Sequence, residues 1–226
     1  MIRRLMGALY RRIAGSNSEP GRPFQETFSE LLDRLQANGP VCHVGSKTRG
    51  ATDESIARWR GNFARFSNSQ FVGIDIESGP NVDVVVDLCK PSFLSDHPDL
   101  DSRFGFIFCS ALLEHVADPF SAARNIQSML RPGGHLYYRG PWVWGFHSYP
   151  SDYWRISIAG LKVLFPRVEF VDWWYMGTKE NFGVRVDAPD VERKLFQESK
   201  LKRRMGRHIS DRGMPYLNIG AIGVCR

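Results

Sequence analysis

Residues 104–141 read FGFIFCSALLEHVADPFSAARNIQSMLRPGGHLYYRGP, and the alternation of extended and helical patterning in that stretch decides the fold. Phe104 to Cys109 is a short apolar run rich in aromatics and without polar alternation, the composition of a strand covered on both faces. Ala111, Leu112 and Leu113 open a helical turn, and Pro119 stands where a helix starts with its φ already suited to the first turn. Phe120, Ala123, Ile126, Met129 and Leu130 recur at spacings of three, three, three and one, which places them on one face of that helix. Arg131, Pro132, Gly133 and Gly134 end it: basic charge in the last turn, a proline that cannot continue and a glycine for the left-handed exit. His135 to Tyr138 resumes the extended pattern. Two strands joined by a crossover of this length are parallel neighbours connected right-handedly.

The string LLEHVADPFSAARNIQSMLRPGGHLYYRGP resembles the fourth-to-fifth-strand region of class I S-adenosylmethionine-dependent methyltransferases, in particular the type 11-like branch. There a strand ends in a small residue, continues as LEH, passes through a proline-phenylalanine helix and turns at LRPGG. The likeness is nearly unbroken from Asp75 through Pro141. It implies a Rossmann-like, doubly wound α/β domain with a mostly parallel seven-stranded sheet, an antiparallel seventh strand inserted at the edge, and S-adenosyl-L-methionine as cofactor. The residues give seven strand candidates alternating with helices, which independently argues a doubly wound α/β domain.

A chain of 226 residues with 42% hydrophobic and 24% charged residues can bury a sizeable core and has ordinary globular composition. No apolar run reaches the ~20 residues of a spanning helix. The four cysteines, Cys42, Cys89, Cys109 and Cys225, lack C-x-x-C spacing and read as free thiols in a reducing compartment, so a cytoplasmic protein is expected. The net charge of +6 is modest and concentrated towards the two ends. The basic run Lys200, Lys202, Arg203, Arg204 and Arg207, in an expected helix over Pro189–Gly206, lacks the interleaved aromatics that stack bases, which argues against a nucleic-acid partner.

Residues 1–22 read as a basic amphipathic helix and linker preceding a domain over 23–226. Ile2, Met6, Leu9, Tyr10 and Ile13 share one helical face with Arg4, Arg11 and Arg12 opposite. Such a helix can lie on a membrane surface through residues 1–13, act as an organelle presequence, pack on another subunit or pack on its own domain. Gly15 to Pro23 is the linker. Phe24 to Leu35 has helical spacing, Val41–Val44 is the first strand, Asp53–Phe66 a helix, Phe71–Ile76 the second strand and Asn81–Val86 the third. Ile156–Phe165 is a further helix, and Val168–Tyr175 and Tyr216–Cys225 close the sheet.

The resemblance assigns cofactor contacts to Gly45, Ser46 and Lys47 after the first strand, Asp75 and Ile76 after the second, Asp87 and Leu88 after the third, and Ser110 after the fourth. Asp75 stands where a carboxylate accepts both ribose hydroxyls, and Asp87 where one accepts the adenine amino group. The first loop departs from the family pattern of an acidic residue followed by alternating glycines. His43 takes the acidic position, only Gly45 is in register, and Lys47 and Arg49 take the later glycine positions. Glycine serves there because it tolerates positive φ and leaves no side chain in the way, so Lys47 either reshapes the loop or projects away, and Lys47 or Arg49 can pair with the cofactor carboxylate.

The segment WVWGFHSYPSDYWRIS, residues 142–157, is too aromatic to expose cheaply, and 141–156 is expected to fold over the carboxyl edge of the sheet as a lid. It resembles the HxxPxDYWRxT-like segment after the fifth strand in one branch of these enzymes, implying substrate contacts at Tyr149, Asp152, Tyr153 and Arg155. The alternative is a structural lid in which Asp152 and Arg155 pair. A hydroxyl acceptor needs its proton removed, and a histidine is the economical base; His147 is the first candidate and His115 the second. Asp96, His97 and Asp101 lack the tight spacing of metal ligands. The reading is methyl transfer to a small-molecule or glycan hydroxyl. Its alternative is a non-catalytic scaffold or partner subunit with weak or no cofactor binding, for which the altered loop is the support. A nicotinamide dehydrogenase is a third reading, against which the first loop lacks G-x-G-x-x-G.

Overall fold

The computed structural model describes residues 22–24, 28–35, 38–67, 70–144, 146, 151–176, 183–185 and 217–226. The expected helices over 1–13 and 189–206 lie outside them, as do His147 and Tyr149. The strands are β1 (Arg22–Phe24), β2 (Val41–Val44), β3 (Phe71–Asp75), β4 (Val84–Val85), β5 (Phe104–Ser110), β6 (Leu130–Val143), β7 (Val168–Met176), β8 (Gly183–Arg185) and β9 (Leu217–Cys225). The helices are α1 (Phe28–Leu35), α2 (Asp53–Ser67), α3 (Phe93–Asp96), α4 (Pro119–Met129) and α5 (Ile158–Leu164).

They form one sheet in the order β1-β8-β7-β9-β6-β5-β2-β3-β4. The seven expected strands are all present, with β4-β3-β2-β5-β6 parallel throughout. β9 is antiparallel to both of its neighbours, β6 and β7. It therefore sits one place in from β7 rather than outermost. Two short strands extend the sheet beyond β7: β8 pairs with it, and β1 pairs with β8. Arg22 and Pro23, expected in the linker, belong to β1; three residues without alternation carry no strand signal of their own.

β5 is buried along its length except at Ser110, as its unalternating composition predicts. Ile107 and Cys109 join the core under α4 and α5. Phe106 and Phe108 face the other way, into a second cluster with Leu31, Leu32 and Phe63 of α1 and α2. Each such aromatic contributes about 1.5–3 kcal/mol when fully buried. α4 starts as expected, with the Asp118 carboxylate accepting from the Ser121 N–H at 3.0 Å and Pro119 in the first turn. Ala122, Ala123, Ile126 and Met129 are fully buried, but Phe120 is 54% exposed. At about 100° per residue Phe120 lies some 120° around the helix from Ile126, so successive steps of three had carried it off the buried face. The strand after α4 is longer than expected because Leu130 already pairs with Phe104, and the ladder then slips to Phe106↔His135. Residues 131–134 make that slip, with Gly133 at φ +75°.

On the α1/α2 face an aromatic row crosses the sheet. His43 meets Phe108 edge-on at 5.0 Å, Phe108 stacks on Tyr137 at 4.9 Å, and Tyr137 lies 6.2 Å from Trp174. Trp174 reaches over β9 because its register partner there is Gly220, where a Cβ would lie 2.3 Å from the indole. Gly220→Ala should therefore cost about 1–3 kcal/mol through overpacking. Denaturant titration should show the midpoint falling at unchanged m; an unchanged midpoint would mean that the indole shifts freely.

Candidate functional site

The carboxyl ends of β2, β3, β4 and β5 converge on one edge of the sheet, where doubly wound folds bind ligands. Gly45, directly after β2, has φ +69° and approaches Leu112 so closely that a Cβ would sit 2.9 Å from its side chain. Both facts require glycine. The loop is then tied to β3: the Lys47 N–H donates to Asp75 Oδ2 at 2.9 Å, and the Glu77 N–H donates to Asp75 Oδ1 at 3.2 Å. Lys47 does project away, its ammonium 2.6 Å from Glu77 Oε2. The Ser46 hydroxyl, expected at the cofactor, is instead fully buried and turned onto Gly73, where a Cβ would meet it at 2.8 Å. The Ser46 backbone is committed as well, its N–H donating to the Ile74 carbonyl at 3.0 Å and its own carbonyl accepting from Asn81 and the Thr48 hydroxyl, so Ser46 shapes the loop from inside rather than touching a ligand.

His43 does not act in place of an acidic ligand. Its ring is buried among Trp59, Phe71 and Phe108, and its Nδ1 accepts from the Asn81 amide at 3.4 Å. Asn81, at φ +70°, also donates to the Ser46 carbonyl at 3.1 Å and accepts from Arg60 Nε at 2.9 Å. Arg60 forks onto Asp83 at 3.2 and 2.9 Å, and Asp83 in turn accepts from the Gly73 N–H at 2.7 Å. Asn81, Arg60 and Asp83 thus fix the tips of β2 and β3. An asparagine in a loop and an arginine on a helix carry no sequence mark of that role. The turn at Asn81 also shortens the expected third strand to β4.

Beyond β3 a cleft of about 270 Å³ is lined by Ile76, Val86, Asp87, Lys90, Phe93 and His97, among others. Ile76 is 64% exposed, an apolar side chain offered at a strand tip. Asp87 caps its own loop by accepting from the Cys89 N–H at 2.8 Å. Leu88 is buried. Buried Asn125 of α4 holds the loop from below, donating to the Leu88 and Lys90 carbonyls at 2.8 and 3.1 Å.

At the tip of β5, Ser110 is half-buried and Ala111 has φ +51°, a left-handed conformation that costs an alanine about 1 kcal/mol or more. The turn Leu113–His115 follows and carries the segment 151–155. The Glu114 carbonyl accepts from the Tyr153 N–H at 2.7 Å, the Val116 carbonyl accepts from Trp154 Nε1 at 2.8 Å, and His115 Nδ1 lies 2.6 Å from the Ser151 carbonyl. Against a carbonyl, Nδ1 must donate, so in the neutral ring Nε2 carries the lone pair. That nitrogen is 3.9 Å from Glu114 Oε1, while Glu114 Oε2 is buried with no hydrogen-bond partner among the described residues. Asp152 and Arg155 form a two-pronged ion pair, with Asp152 Oδ2 at 2.7 Å and the Asp152 side chain 1% exposed. These two hold the segment in shape, which is the structural alternative for them. Tyr153, 53% exposed, remains available to a substrate.

These tips suit an adenosyl ligand. The close approach at Gly45 leaves backbone open to it, Ile76 and Asp87 line a cleft, and each Asp75 oxygen keeps a second acceptor position for a ribose hydroxyl. Among the described residues no group of three acidic, histidine or cysteine side chains is placed to hold a metal ion, and no helix is long and apolar enough to cross a membrane. All four cysteines are free, Cys89 being half-buried.

Comparison with known proteins agrees with the geometry. Residues 17–210 match the family described as Methyltransferase domain. The fold is shared with the YcgJ protein of Bacillus subtilis at 13% identity, TM-score 0.53, over 88% of this chain and 97% of that one. It is also shared with a SAM dependent methyltransferase from Archaeoglobus fulgidus at 14% identity, TM-score 0.50, over 97% and 99%. A segment of 62 residues, 27% of the chain, is 37% identical to a Ubiquinone biosynthesis O-methyltransferase from Marinobacter nauticus, and spans only 25% of that protein.

Two buried groups give the site opposite pH responses. Burial, with Arg60 adding repulsion, pushes His43 from an ordinary 6.5 down to about 4. The unfolded chain takes up that proton first, so the His43 contribution is complete above pH 6.5 and lost as the pH falls towards 4, about 3 kcal/mol at most. Burial raises Glu114 above its ordinary 4.5, against the opposing pull of His115 and Arg155. The native state then holds a proton that the unfolded chain releases, so this contribution is complete below pH 4.5 and is lost as the pH rises. In thermal melts from pH 4 to 8, Glu114→Gln should gain Tm on the wild type progressively with pH. A difference independent of pH would show that Glu114 holds no such proton.

Proposed function

The chain belongs to the family of methyltransferase domains, class I enzymes that use S-adenosylmethionine, and from that premise we propose that it moves a methyl group to the hydroxyl of a small molecule or a sugar. The observation that carries the acceptor side is the fastening of segment 151–155 to the turn Leu113–His115. It sets a histidine and exposed aromatic surface at the same sheet edge as Asp75 and Asp87. The O-methyltransferase likeness over 62 residues supports an oxygen acceptor.

S-adenosylmethionine, when bound, supplies a methyl carbon already activated by its sulfonium. The protein's task is then alignment, exclusion of water and removal of the acceptor proton. Asp75, held rigid by two backbone N–H groups, orients the ribose, while Ile76 and the loop at Asp87 receive the base. Tyr153 and Trp154 wall the acceptor side. His115, with Nδ1–H committed to the Ser151 carbonyl, has Nε2 as its basic nitrogen. His147 is the other candidate base. The scaffold alternative retains one specific support, the occupation of two glycine positions by Lys47 and Arg49.

Calorimetric titration with S-adenosylhomocysteine should give binding in the wild type and affinity at least about tenfold weaker in Asp75→Ala. Absence of heat at millimolar ligand would favour the scaffold. His115→Ala should slow methylation of a panel of sugar and phenol hydroxyls, followed by product mass, while leaving S-adenosylhomocysteine affinity nearly unchanged. Undiminished turnover would remove His115 from the chemistry.

A further inference from the structure

We propose that Lys47 anchors the carboxylate of the cofactor's amino-acid part and that Glu77 occupies that ammonium, as an internal counter-ion, until the cofactor replaces it. The proposal rests on the methyltransferase reading and assigns a task to the residue that departs most plainly from the expected loop.

The lysine is accommodated by design of its surroundings. Gly79, across the gap from the loop, leaves a track for its stem: a Cβ there would lie 2.9 Å from Lys47 Cε. The side chain is only 22% exposed, while its partner Glu77 is 60% exposed. Both members of the pair are pinned to one group, since the Lys47 and Glu77 N–H groups donate to the two oxygens of Asp75. The ion pair therefore joins two residues whose backbones both bind the carboxylate assigned to the ribose.

Charge explains why a counter-ion is needed. Lys47 and Arg49 together put two positive charges on a loop that must accept a sulfonium, and the Glu77 carboxylate, held below its ordinary range chiefly by its hydrogen bond to Lys47, offsets part of that repulsion. A ligand that brings a sulfonium also brings a carboxylate. An ion pair with so exposed a partner contributes little to stability, so exchanging the Glu77 carboxylate for the ligand's leaves the ammonium paired at small cost. The flexible four-carbon stem of lysine permits the swing.

The test compares S-adenosylhomocysteine with 5′-methylthioadenosine, which keeps the adenosine and thioether but lacks the amino-acid part. Titrated into the wild type, Lys47→Met, Glu77→Gln and the double variant, the two ligands should separate. Lys47→Met should weaken S-adenosylhomocysteine about tenfold, the scale of a lost charge-assisted hydrogen bond, and leave methylthioadenosine unchanged, which also certifies the fold. Glu77→Gln should tighten S-adenosylhomocysteine severalfold and not methylthioadenosine, and the double variant should match Lys47→Met. Equal weakening of both ligands by Lys47→Met, or no weakening of either, would overturn the assignment alone. Failure of both ligands to bind the wild type would overturn the methyltransferase reading and the assignment with it.

Discussion

The Asp75 carboxylate, accepting backbone N–H groups from Lys47 on one side and Glu77 on the other, is the constraint on which the site depends. It converts two separate loops into one surface. A carboxylate satisfied by backbone donors is stiff, because those donors move only if the chain moves. Yet it keeps acceptor capacity for a ligand. A loop that has lost two of its glycines can still present backbone at the right place, since its shape is set by this crossbond and by Gly45 rather than by glycine content along its length.

The rest of the fold serves to hold that crossbond in register. β2 and β3 pair in parallel from Val41↔Phe71 to Val44↔Ile74, and the network of Asn81, Arg60 and Asp83 fastens their tips from the α2 side. His43 contributes by packing, not by charge: it sits neutral in an aromatic box and accepts from Asn81. On the acceptor side the logic repeats with different groups. The segment 151–155 offers main-chain and indole donors to carbonyls of the turn Leu113–His115, and the Asp152–Arg155 pair fixes its internal shape. Buried Glu114, with one oxygen unsatisfied, is the costly member of that arrangement, the kind of group found where chemistry rather than stability is served.

The sequence was legible where one residue pattern determines one local structure. β5 is marked by unbroken apolarity, α4 by its leading proline and apolar spacing, and Asp75 by its place after Gly73 at a strand end. Phe120 misled because steps of three drift around a helix. β1 and β8 carry no sequence signal because each is three residues long and exists by pairing. Asn81, Arg60 and Asn125 were invisible for a related reason: their partners lie 21 to 38 residues away, and only the folded chain brings them together. The inward turn of Ser46 belongs to the same class, being set by close packing against Gly73.

Amide hydrogen exchange with and without saturating S-adenosylhomocysteine tests the central claim most directly, because the claim concerns particular N–H groups. Ligand binding across the strand tips should slow exchange at Lys47, Glu77 and Cys89 while leaving the amides of β7, separated from β2 in the sheet by β9, β6 and β5, unaffected. Exchange at those three positions unchanged by saturating ligand would contradict the account.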